Sequence, residues 1–253
     1  MYLFGIYVDI TIADGLALAW FIGCWMGYHA LCQRSLRIKK LCLARIMHNY
    51  RRDWMRRLLE REVRIPDATF ITHLERNGAF FASSTLLIVA ALFALLGSTD
   101  KAINMVSELP FVATDTQLEW ELKILLLIGI FIYAFFTFTW SMRQYNFCAI
   151  VIGSAPMPND SQVSIEQRRA LAEHTANLID LAANQFNYGL RAYYFALAVL
   201  GWFLHPLVFM LTTLGVIGVL YRREFHSKTL QALAAGQNPS VQFRGIIRDD
   251  PLN

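Results

Sequence analysis

From Lys123 to Met142 the chain carries no charge after the opening lysine, a run of twenty residues. At ~1.5 Å per residue such a helix crosses a bilayer core of ~30 Å. Arg143 follows it, and apolar or small residues resume after Asn146. The arginine therefore lies within the membrane's margin, where a charge is costly and usually faces other helices or a water-filled pocket. Thr139, Arg143 and Asn146 fall at i, i+4 and i+7, on one helical face. That face must meet something polar.

Other runs repeat the pattern. Charged residues make up 17% of the chain, against about 25% in soluble domains, so the fold class is an all-α integral membrane protein. No lysine or arginine precedes Arg34, twelve fall from Arg34 to Arg76, and five follow from Arg222 onward. The positive-inside rule then puts the N-terminus outside and Arg34 in the cytoplasm. No removable signal peptide is expected, since the opening stretch lacks a basic n-region. Spans are expected at about 10–31, 78–97, 123–152, 184–204 and 206–221. The last two arise because Arg191 to Tyr221 is too long for one span and His205-Pro206 divides it. Four spans would place Arg222, Arg223 and Lys228 outside; five place them inside, and five is preferred.

Residues 36–64 read as a basic amphipathic surface helix, with Leu43, Ile46, Met47, Tyr50, Trp54 and Leu58 on its apolar stripe. Arg51, Arg52, Trp54, Arg56 and Arg57 fit an anionic leaflet. Packing on neighbouring cytoplasmic helices accounts for the same pattern. A short helix is expected about 103–109, outside the membrane. Ser164 and Gln167 form a capping box. Residues 1–230 make one helical membrane domain, and 231–253 read as a flexible tail.

The five-span topology brings Arg76-Asn77, Arg143 with Asn146, and Asn184, Asn187, Arg191 and Tyr194 to one depth, beside Tyr28-His29. The expected result is an inner-leaflet ring of arginines and asparagines. Glu75, Asp180 and Glu173 are the candidate counter-ions. Snorkelling and interhelical hydrogen bonds explain such residues structurally. The excess of cations also suits phosphate or carboxylate, whose geometry matches the guanidinium fork.

No catalytic, metal or cofactor set is expected. Cys24, Cys32, Cys42 and Cys148 show no paired spacing and read as small hydrophobes. No histidine pair within a span has metal spacing, and no phosphate-cradling glycine loop or nucleophile elbow occurs. A nucleic-acid partner is not expected.

Tyr28-His29, Arg52-Asp53-Trp54, Arg76-Asn77, Arg143 with Asn146, Arg191-Ala192-Tyr193-Tyr194 and Tyr221-Arg222 with Phe225 together resemble the membrane family known as domain of unknown function 599, over roughly residues 10–230. Members more often read Arg-Asn-Ser where this chain has Arg76-Asn77-Gly78. The resemblance implies a multi-span membrane protein and supplies no activity. The expected function is therefore non-catalytic: binding anionic phospholipid at the Arg/Asn cluster, or serving as an accessory subunit of a membrane assembly. The alternative is a homo-oligomeric anion channel or transporter ringed by Arg76, Arg143 and Arg191. The expected location is the inner (plasma) membrane.

Overall fold

Local signals start the helices. The structure, a computed structural model, describes residues 2–3, 6–7, 12–37, 42–99, 103 and 116–237. Helix α1 is Ile12–Arg37, α2 Leu43–Leu59, α3 Ile65–Leu96, α4 Gln117–Gly153, α5 Ile165–Leu200, α6 Pro206–Phe225 and α7 Lys228–Gln237. One 3-10 turn, Gly201–Phe203, joins α5 to α6, and two short strands, Tyr2–Leu3 and Ile6–Tyr7, pair near the start. Pro66 lies in the first turn of α3, where its missing N–H costs nothing. Capping boxes open α4 (Thr116 with Glu119) and α5 (Ser164 with Gln167). Before α6, the His205 ring accepts from the Leu207 N–H.

Four segments, Ile12–Arg34, Ile65–Leu96, Gln117–Gly153 and Pro206–Gln237, are long and apolar enough to cross a membrane. Among the described residues α5 does not qualify, because Asn184, Asn187 and Arg191 dilute its second half. Yet α4 and α5 form the closest-packed pair and run antiparallel through the middle of the protein. Lys123 Nζ donates to the Trp202 carbonyl at one end, and Ser141 Oγ to the Ala182 carbonyl further along. Helix α3 lies on one face of this pair through Phe81, Phe138 and Tyr193. Helix α1 lies on the other, where Trp25 stacks on Phe195 with ring centroids 4.9 Å apart. Helix α6 packs on α1 and α5.

Helices α3, α4 and α5 have 32, 37 and 36 residues. At ~1.5 Å per residue each exceeds a ~30 Å hydrocarbon core by several turns. The surplus lies at one end. There the first half of α3, the last of α4 and the first of α5 gather with α2 around a second core of Met55, Leu58, Ile71, Tyr145, Cys148, Ile152, Ala172, Ala176 and Ile179. A four-helix bundle thus continues directly from the apolar half.

Two expectations need correction. The surface helix is shorter than 36–64, since α1 continues through Arg37 and α2 covers only Leu43–Leu59. It also stands against α5. Arg51 pairs with Asp180, and Arg52 and Arg56 with Glu173, so rising numbers on α2 meet falling numbers on α5. Trp54 donates to Asp67 at the start of α3. The amphipathic stripe found a protein partner because Glu173 and Asp180 stand two turns apart on α5, matching the arginines.

The flexible tail does not begin at 231. Ser227 caps α7 through the Leu230 N–H, Leu230 is buried, and Tyr50 Oη donates to the Leu233 carbonyl. Gln237 closes the contact by donating to the Ile46 carbonyl and accepting from Asn49. Residues 238–253, and 104–109 of the expected outer helix, lie outside the described residues.

Candidate functional site

The residues of the expected ring lie near the same end of the molecule but on different faces. Asn184, Asn187, Arg191 and Tyr194 of α5 line one cavity of about 300 Å³. Tyr28 of α1, Arg51 and Met47 of α2, and Arg223 and Glu224 of α6 complete its wall. Successive polar residues of α5 at i, i+3, i+7 and i+10 make this one face. The Arg191 guanidinium sits over the Tyr28 ring at 5.3 Å and the Tyr188 ring at 5.7 Å. Arg223 Nη1 donates to Tyr194 Oη at 2.9 Å. His29 accepts from the Gln33 amide at 2.8 Å and packs against Tyr188, beside the cavity rather than in its wall.

Arg143 and Asn146 face elsewhere. With Thr139, Tyr133, Phe136, Trp140, Met142 and Gln185 they line a groove of about 740 Å³. Phe136 and Trp140 are strongly exposed there. Arg143 lies over the Phe147 ring at 5.7 Å, and Asn146 Nδ2 donates to Glu75 at 3.2 Å. Arg76 and Asn77 are exposed on α3 and belong to neither lining. The single ring is therefore two separate sites plus an exposed pair.

The expected counter-ions serve other partners. Asp180 holds Arg51 at 2.5 Å and also His48; Glu173 holds Arg52 and Arg56; Glu75 holds Asn146. Hydrogen bonds from Arg52 and then Arg56 hold the Glu173 carboxyl below the usual carboxylate range. Arg57 is exposed on the outer side of α2 and, with Arg52, Arg56 and Arg61, lines a third, solvent-facing depression. Among the described residues no group of three or more His, Cys, Asp or Glu is placed to hold a metal.

A family model described as "Protein of unknown function, DUF599" matches residues 16–229. The chain belongs to this family. No curated protein and no solved structure matches it.

The matched span of this DUF599 chain contains both sites, and other polar residues, one of them just before that span, form a further cluster that periodicity did not single out. At the end opposite the bundle, Asp14 and Lys123 are buried, and Trp202 lies between them. Trp202 Nε1 donates to Asp14 Oδ1 at 2.6 Å, its carbonyl accepts from Lys123, and its ring lies 5.5 Å from the lysine Nζ. This knot fastens the first turns of α1 and α4 to the α5–α6 turn. Arg51, expected at the leaflet surface, Arg223, expected only as a topology charge, and Glu224, which no pattern singled out, are further cavity residues. Glu224 accepts from the Ala44 N–H and so holds the start of α2 over the cavity.

Proposed function

We propose that this DUF599 chain is an inner-membrane protein with five crossing helices that binds an anionic phospholipid, its headgroup at Arg143. The exposed Arg143 guanidinium carries the reading. Among the described residues it has no carboxylate partner, while Asn146 beside it is engaged by Glu75. The groove above it is apolar and aromatic, with Phe136, Trp140 and Tyr133 laid along about two turns of α4. A phosphodiester on the guanidinium and acyl chains along these rings would satisfy both halves. Native mass spectrometry of the protein in mild detergent should find an anionic phospholipid that survives detergent exchange. Arg143→Ala should lose it, and Arg191→Ala should retain it. Equal lipid retention in wild type and Arg143→Ala would sink the proposal.

The fifth crossing is supported by length. From Ala182 to Trp202, α5 runs beside α4 from Ser141 back to Lys123, about 30 Å of helix at ~1.5 Å per residue. Its polar face lines the cavity and its alanines pack on the other helices, so it needs less apolar surface than a lipid-facing span. The arginine-rich bundle gathers at one end, which by the positive-inside rule is cytoplasmic. A reporter fused to the C-terminus of the full chain should read cytoplasmic and one at the N-terminus external. Both termini on one side would restore four crossings.

A further inference from the structure

The Arg191 cavity has a different character from the Arg143 groove. Four helices wall it, α1, α2, α5 and α6, and the first turn of α2 lies across it through Leu43, Ala44 and Met47. It lies toward the bundle end, yet Arg191 is eleven residues from Trp202 along α5. That places the charge about 16 Å from the opposite end of the helix pair, well inside a ~30 Å core. A guanidinium at such depth is retained only where partners or water receive it.

The partners at hand are incomplete. Tyr28 and Tyr188 give Arg191 two ring faces, a favourable but modest attraction. Among the described residues, Arg191, Asn184 and Asn187 have no side-chain hydrogen bond. Of the acids near the wall, Asp180 receives Arg51 and His48, and Glu224 receives the Ala44 N–H. Tyr194 Oη accepts from Arg223, which leaves its own O–H to donate. With Arg51 held by Asp180, Arg191 and Arg223 face one further carboxylate in the wall, Glu224, which receives the Ala44 N–H.

We infer that this cavity holds an oxyanion of the phosphate class, received by Arg191. The planar guanidinium offers two parallel N–H donors to two oxygens, and the tyrosine faces fix its plane. The Asn184 and Asn187 amides and the Tyr194 hydroxyl add donors suited to the remaining oxygens. The volume, about 300 Å³, is at the small end of ligand cavities. It suits a phosphate group with a small substituent. This site is distinct from the lipid groove, and its success or failure does not depend on Arg143.

The test uses the full chain purified in mild detergent, with inorganic phosphate as probe and sodium chloride at equal ionic strength as control. Thermal unfolding is followed by tryptophan fluorescence. Phosphate should raise the midpoint saturably in wild type and in Arg143→Gln. Arg191→Gln should weaken the apparent affinity at least tenfold, and Arg191→Lys, which keeps charge without the fork, should fall between. Should Arg191→Gln not fold, Asn187→Leu, at an exposed position of the same wall, should weaken it several-fold.

The same titration in nanodiscs separates the sources. A response in phosphatidylcholine that disappears when phosphatidylglycerol is added identifies a lipid headgroup in the cavity. A response unchanged by phosphatidylglycerol identifies a free cytoplasmic anion. No saturable shift in wild type, or an equal shift in Arg191→Gln, overturns the proposal. Equal lipid retention in wild type and Arg143→Ala, with this response intact, would remove only the Arg143 reading.

Discussion

Gly189→Ala should be among the most damaging single-methyl changes in the apolar half. A Cβ at 189 would sit 2.6 Å from two Phe138 ring atoms and 2.9 Å from a third. The ring is fully buried and cannot swing aside, because Phe81 stacks on it at 5.2 Å and Phe186 and Tyr193 meet its edges. Relief requires α4 and α5 to separate along their closest contact, and overpacking of this kind costs about 1–3 kcal/mol. At ~2–4 °C per kcal/mol for a chain of this size, the unfolding midpoint in detergent should fall by several degrees. Gly129→Ala supplies the contrast, since nothing lies within 4 Å of a Cβ there. It should leave the midpoint unchanged or raise it slightly, alanine being the better helix former. Equal behaviour of the two variants would mean that the α4–α5 contact is looser than described.

Asp67→Ala should loosen the bundle at its far corner. The Asp67 side chain is fully buried in the first turn of α3, where the helix dipole favours a negative charge. It accepts from Trp54 Nε1 at 2.6 Å and from Arg61 Nη1 at 2.8 Å. Arg61 is nearly half exposed and water can take over its charge, so its share of the loss is small. Trp54 is part-buried, and orphaning its N–H costs up to about 1–3 kcal/mol. With the lost dipole interaction the total should reach about 2–3 kcal/mol. Asp67→Asn keeps an acceptor for Trp54 and should recover about half. Tryptophan fluorescence should report the change directly. An Asp67→Ala variant with wild-type midpoint and spectrum would show that α2 is held without this corner.

Much of this architecture was legible because its causes are local. Pro66, the Ser164–Gln167 box and His205-Pro206 each act within a turn of the chain, and each marks a helix start. The family resemblance rested on short motifs and extended over the span that the family model matches. What stayed hidden depends on partners far away in sequence. Arg51 and Asp180 are 129 residues apart, so an amphipathic arginine helix suited a leaflet as well as another helix. Azimuth cannot be counted along a helix, and depth was read only from the ends of the spans. Arg143 and Arg191 were therefore expected in one ring, although they lie twenty residues from Lys123 and eleven from Trp202. Arg143 and Arg191 face different sides because α4 and α5 use their small residues and aromatics to meet each other. The Gly78 position has a similar origin. A Cβ there would meet Met142 Cγ at 2.8 Å, so a serine would require the methionine to move.

Helix α5 joins both halves without a break. Arg191 and Glu173 stand on the same continuous rod, eighteen residues apart. At ~1.5 Å per residue they are separated by about 27 Å, so a tilt of ~5° about the cavity swings the Glu173 end by roughly 2 Å. Glu173 holds Arg52 and Arg56, and through them the position of α2. Under the proposed occupancy of the cavity, any small tilt of this rod is enlarged at its far end, where it is clamped to the arginine helix.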